Sequence, residues 1–112
     1  METTRQQKIA RQIQRDVAEI FQRDLAQTLR GSLVTVTAVR VSPDIAYARI
    51  YVSIFPFDHA QAVLKTLGAQ NRAIRGALGN RMRNQVKSIP ELQFFLDDSL
   101  EYIDNIDSLL KK

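Results

Sequence analysis

The sequence predicts an α+β fold in the order helix, strand, strand, helix, helix, strand, helix. Three observations predict it. The chain opens with a long amphipathic segment at helical spacing. Two segments rich in β-branched residues follow, separated by a short turn. Later, apolar residues at four-residue steps run up to a proline, and a last short apolar run follows it. The 112 residues are 45% hydrophobic and 25% charged, which fits one domain over 1–112 with a single core, neither disordered nor fibrous.

Thr4-Arg5-Gln6-Gln7 has the Thr-x-x-Gln spacing of a capping box, which places a helix start near Thr3 or Thr4. Ile9, Ile13, Val17, Ile20, Phe21, Leu25 and Leu29 then form one apolar stripe, and Gly31 after Arg30 is a natural stop. Leu33 to Val41 is β-branched but alternates poorly, predicting a strand with both faces partly covered. Ser42-Pro43-Asp44 is turn chemistry. From Ala46 to Phe55 the alternation is clean: Ala46, Ala48, Ile50, Val52 and Ile54 point one way, Tyr47, Arg49, Tyr51 and Ser53 the other. The short connection predicts an antiparallel hairpin. Two readings stay open for Tyr47 and Tyr51: stacking platforms for bases, or a cover for the second face of the sheet.

Pro56 ends the strand, and Asp58 is placed to cap a helix in which Val63, Leu64 and Leu67 share a face. Residues 68–71 carry no large apolar side chain, and Gly68 weakens a helix there. Ile74, Leu78, Met82 and Val86 then resume the periodicity, predicting a helix unbroken from about Ala73 to Lys87. Two helices joined at a kink between Gly68 and Arg72 satisfy both facts. Ile89-Pro90 closes the second helix. Leu92 to Leu96 forms a third strand. Asp97-Asp98-Ser99 caps a last helix, Leu100 to Leu110, with Leu100, Ile103, Ile106 and Leu110 on one side.

Charge is segregated along the chain. The net charge is only +4 and the pI about 9.8. Yet residues 59–90 hold six bases, Lys65, Arg72, Arg75, Arg81, Arg83 and Lys87, and no acid, whereas residues 91–112 hold six acids. A positive helix on a small domain is an electrostatic footprint for nucleic acid. Arg72, Gly76, Gly79, Asn80, Arg83 and Lys87 fall on one helical stripe, with Arg75 beside it and Arg81 at its margin. Each glycine within a helix costs about 1 kcal/mol against alanine. The cost points to close approach of another backbone, either a neighbouring helix inside the protein or a phosphate backbone outside it. Lys8, Arg11 and Arg15 recur on one side of the first helix, as a solvated face or a second contact.

Enzyme chemistry has no constellation to rest on. There is no cysteine, hence no thiol nucleophile, disulfide framework or zinc ribbon. His59 is the only histidine and has no partner pattern. Asp97, Asp98 and Glu101 read as cap and dipole partners ahead of a Mg²⁺ site. There is no phosphate loop and no dinucleotide fingerprint. No cofactor is expected. The polar N-terminus opens no signal peptide and no apolar run reaches membrane length, so a cytoplasmic location without membrane contact is expected.

The strand pair, helix pair and strand have the layout of a type II KH domain, a single-stranded RNA binder with a GxxG loop between its central helices. Gly76-Ala77-Leu78-Gly79 matches GxxG literally, but Leu78 continues the step from Ile74 to Met82 and so lies within a helix. Three segments together, VTVTAVRVSPDIAYARIYVSIF, IRGALGNRMRNQV and IPELQFFLDDSL, resemble the ribosome-binding factor A family. The similarity covers Thr4 to about Leu110. It implies a KH type II-like fold with a three-stranded mixed sheet, helices on one face, and a kink in place of the GxxG loop. It implies a non-enzymatic assembly factor that binds the free small (30S) ribosomal subunit and its rRNA and assists late 16S rRNA maturation, with no small-molecule substrate. A monomer is expected. Arg72, Arg75, Arg83 and Lys87 would meet phosphate, and Gly76 and Gly79 would allow its approach. The family's Ala-x-Gly kink falls on Gln70-Asn71-Arg72, which does not match; Gly68-Ala69 lies just upstream. The rivals are a general KH-like binder of single-stranded RNA and a protein-interaction adaptor docking through its acidic last helix.

Overall fold

The computed structural model describes residues 3–97. Helix α1 spans Thr4–Arg23. Its capping box sits one residue upstream of the Thr4–Gln7 spacing: the Thr3 hydroxyl accepts from the Gln6 N–H at 3.1 Å, and the Gln6 side chain accepts from the Thr3 N–H at 2.8 Å. The helix buries Ile9, Ile13, Val17, Ile20 and Phe21. It stops at Arg23, short of Arg30, because the Leu25 N–H bonds to the Ile20 carbonyl at 3.0 Å, one residue out of the helical ladder. Turns then carry the chain to Gly31, whose φ of +89° suits glycine. Leu25 and Leu29 stay buried, so the apolar stripe outlives the helix.

Strands β1 (Leu33–Val41) and β2 (Tyr47–Phe55) form the antiparallel hairpin. β2 buries Ala48, Ile50, Val52 and Ile54 in strict alternation. In β1 the register shifts between Val36 and Ala38, so the buried set passes from Val36 to Val39 and Val41. A bulge, and not burial on both faces, explains the poor alternation of this segment. The turn is held by the Ser42 hydroxyl, which donates to Asp44 at 2.7 Å and accepts from the Ala46 and Tyr47 N–H groups. The Ser42 hydroxyl foremost, and then the Ala46 N–H, which also donates to Asp44 at 3.2 Å, keep the Asp44 carboxyl below its ordinary range. Strand β3 (Glu91–Leu96) pairs parallel with β2, giving a mixed sheet ordered β1-β2-β3.

A 3₁₀ turn, Phe57–His59, leads into α2 (Ala60–Ala69). Asp58 does not cap that helix. It lies inside the 3₁₀ turn, which already supplies the first turn through the His59 N–H to Pro56 carbonyl bond at 3.0 Å. Only Gln70 (φ −92°, ψ 7°) separates α2 from α3 (Asn71–Met82), so the kink falls between Gly68 and Arg72 as the periodicity predicts. Gly76 to Gly79 lie within α3, so the interhelical kink stands where a KH domain has its GxxG loop.

The regular helix ends at Met82 and does not reach Lys87. The Met82 carbonyl accepts from both Gln85 (2.9 Å) and Val86 (3.2 Å), which ends the ladder. The link to β3 then folds back along α3: the Arg75 guanidinium donates to the carbonyls of Ile89 (2.7 Å) and Pro90 (3.2 Å). The three helices cover one face of the sheet, and Ile13, Ile50, Leu67, Ile74, Leu78 and Met82 interlock there with almost no exposure. The architecture is KH type II-like. The last helix predicted over 100–110, with its Asp98-Ser99 cap, lies outside the described residues.

Candidate nucleic-acid interface

α3 turns Ile74, Leu78 and Met82 into the core, which leaves its polar stripe outward. Arg72, Gly76, Asn80 and Arg83 all lie exposed along it. Arg83 is the C-cap residue with helical angles (φ −60°, ψ −21°), so it keeps its place on the stripe. Lys87 is exposed in the link to β3 and no longer belongs to the helix.

The two glycines differ. A Cβ on Gly76 would meet no atom within 4 Å, whereas one on Gly79 would touch Ile89 Cγ1 at 3.4 Å. Gly79 therefore faces a neighbour inside the protein, at a distance a Cβ would turn into ordinary contact, and Gly76 leaves open surface. A shallow groove runs beside the kink, lined by Gly68, Arg72, Arg75, Gly76 and Glu91. Asn71 fixes its floor by donating to the Leu92 carbonyl at 2.9 Å.

Two of the helix's cations are committed to the fold. Arg75 anchors the Ile89-Pro90 carbonyls, as described. Arg81 donates to Glu19 Oε2 of α1 at 3.1 Å, and its side chain is only 26% exposed. This pair ties α3 to α1 and neutralises a charge that the sequence counts as available.

The cations of α1 line a second groove. Lys8, Arg11 and Arg15 lie there with Arg5, Gln12, Met82 and Gln85. Gln12 bridges Arg15 (2.6 Å) and the buried Asp16 (2.8 Å), which fixes the Arg15 guanidinium against the helix. Because Met82 immediately precedes Arg83, this groove begins where the α3 stripe ends. The sequence reading leaves out Arg5, although its three-residue step to Lys8 continues the same row. His59 shares a 2.9 Å hydrogen bond with Ser32 and sits apart from both grooves. Among the described residues, no group of three or more His, Cys, Asp or Glu is placed to hold a metal ion.

The sequence model of ribosome-binding factor A matches residues 5–110. The chain belongs to the ribosome-binding factor A family. The family's protein from Christiangramia forsetii is 42% identical over 111 residues, covering 98% of this chain and 85% of that protein. The one from Cytophaga hutchinsonii is 38% identical over 112 residues, covering 100% and 84%. The crystal structure of ribosome-binding factor A from Thermus thermophilus is similar with a TM-score of 0.69 at 28% identity, over 81% of this chain and 94% of that one. A homology model of the Thermus thermophilus factor, fitted into a cryo-EM map of its complex with the 30S subunit, is similar with a TM-score of 0.63 at 31% identity, over 80% and 91%. No described helix is long and apolar enough to cross a membrane.

Proposed function

We propose that this chain is a cytoplasmic, non-enzymatic assembly factor that binds the free small ribosomal subunit through its rRNA and assists late maturation of the 16S rRNA. One observation carries the reading: Arg72, Gly76, Asn80 and Arg83 form an exposed stripe on α3, inside an interval with no acidic side chain. Phosphate is the ligand such a stripe suits, since cations attract it and Gly76 lets a backbone come close. Arg75 lies at the edge of the stripe. Lys8, Arg11 and Arg15 extend the contact from the adjoining groove, and Lys87 adds long-range attraction from the link. Arg81 and Gly79 serve the packing that holds the stripe in place. The 30S complex of the Thermus thermophilus relative supports the choice of partner.

Co-sedimentation with free small subunits, large subunits and joined ribosomes tests the reading. Binding is expected to free small subunits alone, falling steeply with salt at about −0.7 to −0.9 in log–log slope per neutralised phosphate. Gly76→Gln should hold or raise the melting temperature, because it removes a helical glycine at an open site. It should nevertheless weaken subunit binding. Unchanged binding in that variant would remove the α3 face from the site.

A further inference from the structure

The groove beside the kink holds one charge that a phosphate ligand does not explain. Glu91 opens β3, and it is the one acid among the residues that line this groove. The acid-free interval ends immediately before it. Its backbone N–H donates to the Ala46 carbonyl at 2.8 Å, which fixes the residue's place. The side chain is exposed, and its carboxylate makes no hydrogen bond or ion pair among the described residues, although Arg72 and Arg75 line the same groove.

The neighbours of Glu91 differ in what they have left to give. A guanidinium carries five N–H donors. Arg75 spends two of them on the Ile89 and Pro90 carbonyls, so its plane is fixed and three donors remain. Arg72 is exposed and has no hydrogen bond among the described residues. A Cβ on Gly68 or on Gly76 would meet no atom within 4 Å, so the helix wall of the groove is low on both sides of the kink. The groove has a volume of about 670 Å³, within the range of about 300–1,000 Å³ that small ligands fill.

An ionised carboxylate only accepts. Beside a phosphate it repels the ligand unless the ligand brings it a donor. Two free oxygens suit two donors on one edge, and guanine presents such a pair, N1–H and N2–H, next to the acceptor O6. We propose that this groove takes an unpaired guanine, its N1–H and N2–H donating to Glu91, its O6 accepting from Arg75, and its phosphate lying at Arg72 and Gly76. The base must be unpaired because pairing occupies the same edge. The proposal rests on the α3 reading and adds base choice to it, since phosphate contacts position a nucleic acid and base contacts select it.

The test uses the full chain and a short single-stranded oligouridylate with one central guanosine, against the same strand with inosine, adenosine or uridine there. The guanosine strand should bind about tenfold tighter than the all-uridine strand, the worth of one good bidentate pair. Inosine lacks only the N2 amino group and should lose about threefold of that. Glu91→Ala should bring the guanosine and uridine strands to equal affinity, with the salt slope and the melting temperature as in the parent. In co-sedimentation the same variant should bind small subunits a few fold more weakly. A carboxylate that merely repels phosphate would give tighter binding when removed, and that result would overturn the proposal. So would a guanosine preference that survives in Glu91→Ala, or a parent chain that binds the four strands alike or not at all. Should the variant fail to fold, the inosine strand on the unaltered chain decides. Failure of the α3 reading looks different: Arg72→Glu with Arg83→Glu would then leave subunit binding and its salt slope unchanged, whichever base the chain prefers.

Discussion

The cationic stripes of α1 and α3 look equivalent as sequence and are built differently as surfaces. On α3 the bases divide. Arg72 and Arg83 stand in solvent, while Arg75 holds the carbonyls of Ile89 and Pro90 and Arg81 is paired with Glu19. On α1, Lys8, Arg11 and Arg15 are all exposed and line one groove, and only Arg15 is oriented by a neighbour, Gln12. The difference teaches that helical spacing counts charges but does not say which are free. A guanidinium near a chain reversal finds carbonyls that no strand or helix partner has taken, and each such bond contributes about 0.5–1.5 kcal/mol. α3 runs beside such a reversal at Ile89-Pro90, whereas on α1 the bond to the carbonyl before the hairpin turn, that of Val41, is made by Gln6 and not by a cation.

The contrast can be broken by experiment. The largest effect is expected from Arg72→Glu with Arg83→Glu, which should weaken small-subunit binding at least about tenfold and reduce the magnitude of its salt slope by about 2. Sedimentation across a salt series reads both. An unchanged slope would mean that these two side chains meet no phosphate. Charge reversal of Lys8, Arg11 and Arg15 together should have a smaller effect of a few fold, with the melting temperature held. A loss exceeding that of the α3 pair would make α1 the principal face.

Arg75→Ala should act mainly on stability. Removing the donor to two carbonyls, one exposed and one partly buried, should cost about 0.5–1.5 kcal/mol in a denaturant titration, with affinity falling less than for the Arg72 and Arg83 pair. Loss of affinity at full stability would show that Arg75 belongs to the ligand and not to the fold. The smallest effect is expected from Arg81→Ala. Its pair with Glu19 is partly exposed, so about 0–1 kcal/mol of stability is at stake. Subunit binding should stay as in the parent, a result that a free phosphate-binding arginine would not give.

Much of the fold was legible because apolar periodicity records burial directly. The apolar steps from Ile9 to Leu29 and from Ile74 to Val86 are buried as read, and so is the inward row of β2 from Ala48 to Ile54, though Ala46, read as the start of that row, is exposed ahead of the strand. The kink was legible too, since Gly68 and a gap in the apolar steps coincide there. Element ends were less so. Leu25, Leu29 and Val86 keep their burial beyond the helix ends, so their periodicity overstates how far the helices run. The bulge in β1 hid for the same kind of reason: one inserted residue shifts the buried set and makes one covered face read as two.

The sequence by itself determined the order of elements from α1 to β3, most core residues, the family and the segregation of charge. These follow from spacing along the chain, and spacing survives in a linear string. Only the tertiary structure decided which cations are free. Arg75 and Ile89, and Arg81 and Glu19, are 14 and 62 residues apart. No local pattern encodes such pairs, because they form only when packing brings distant carbonyls and carboxylates within a few ångströms. The same holds for Gly79, whose packing against Ile89 appears once the link to β3 has folded back along α3.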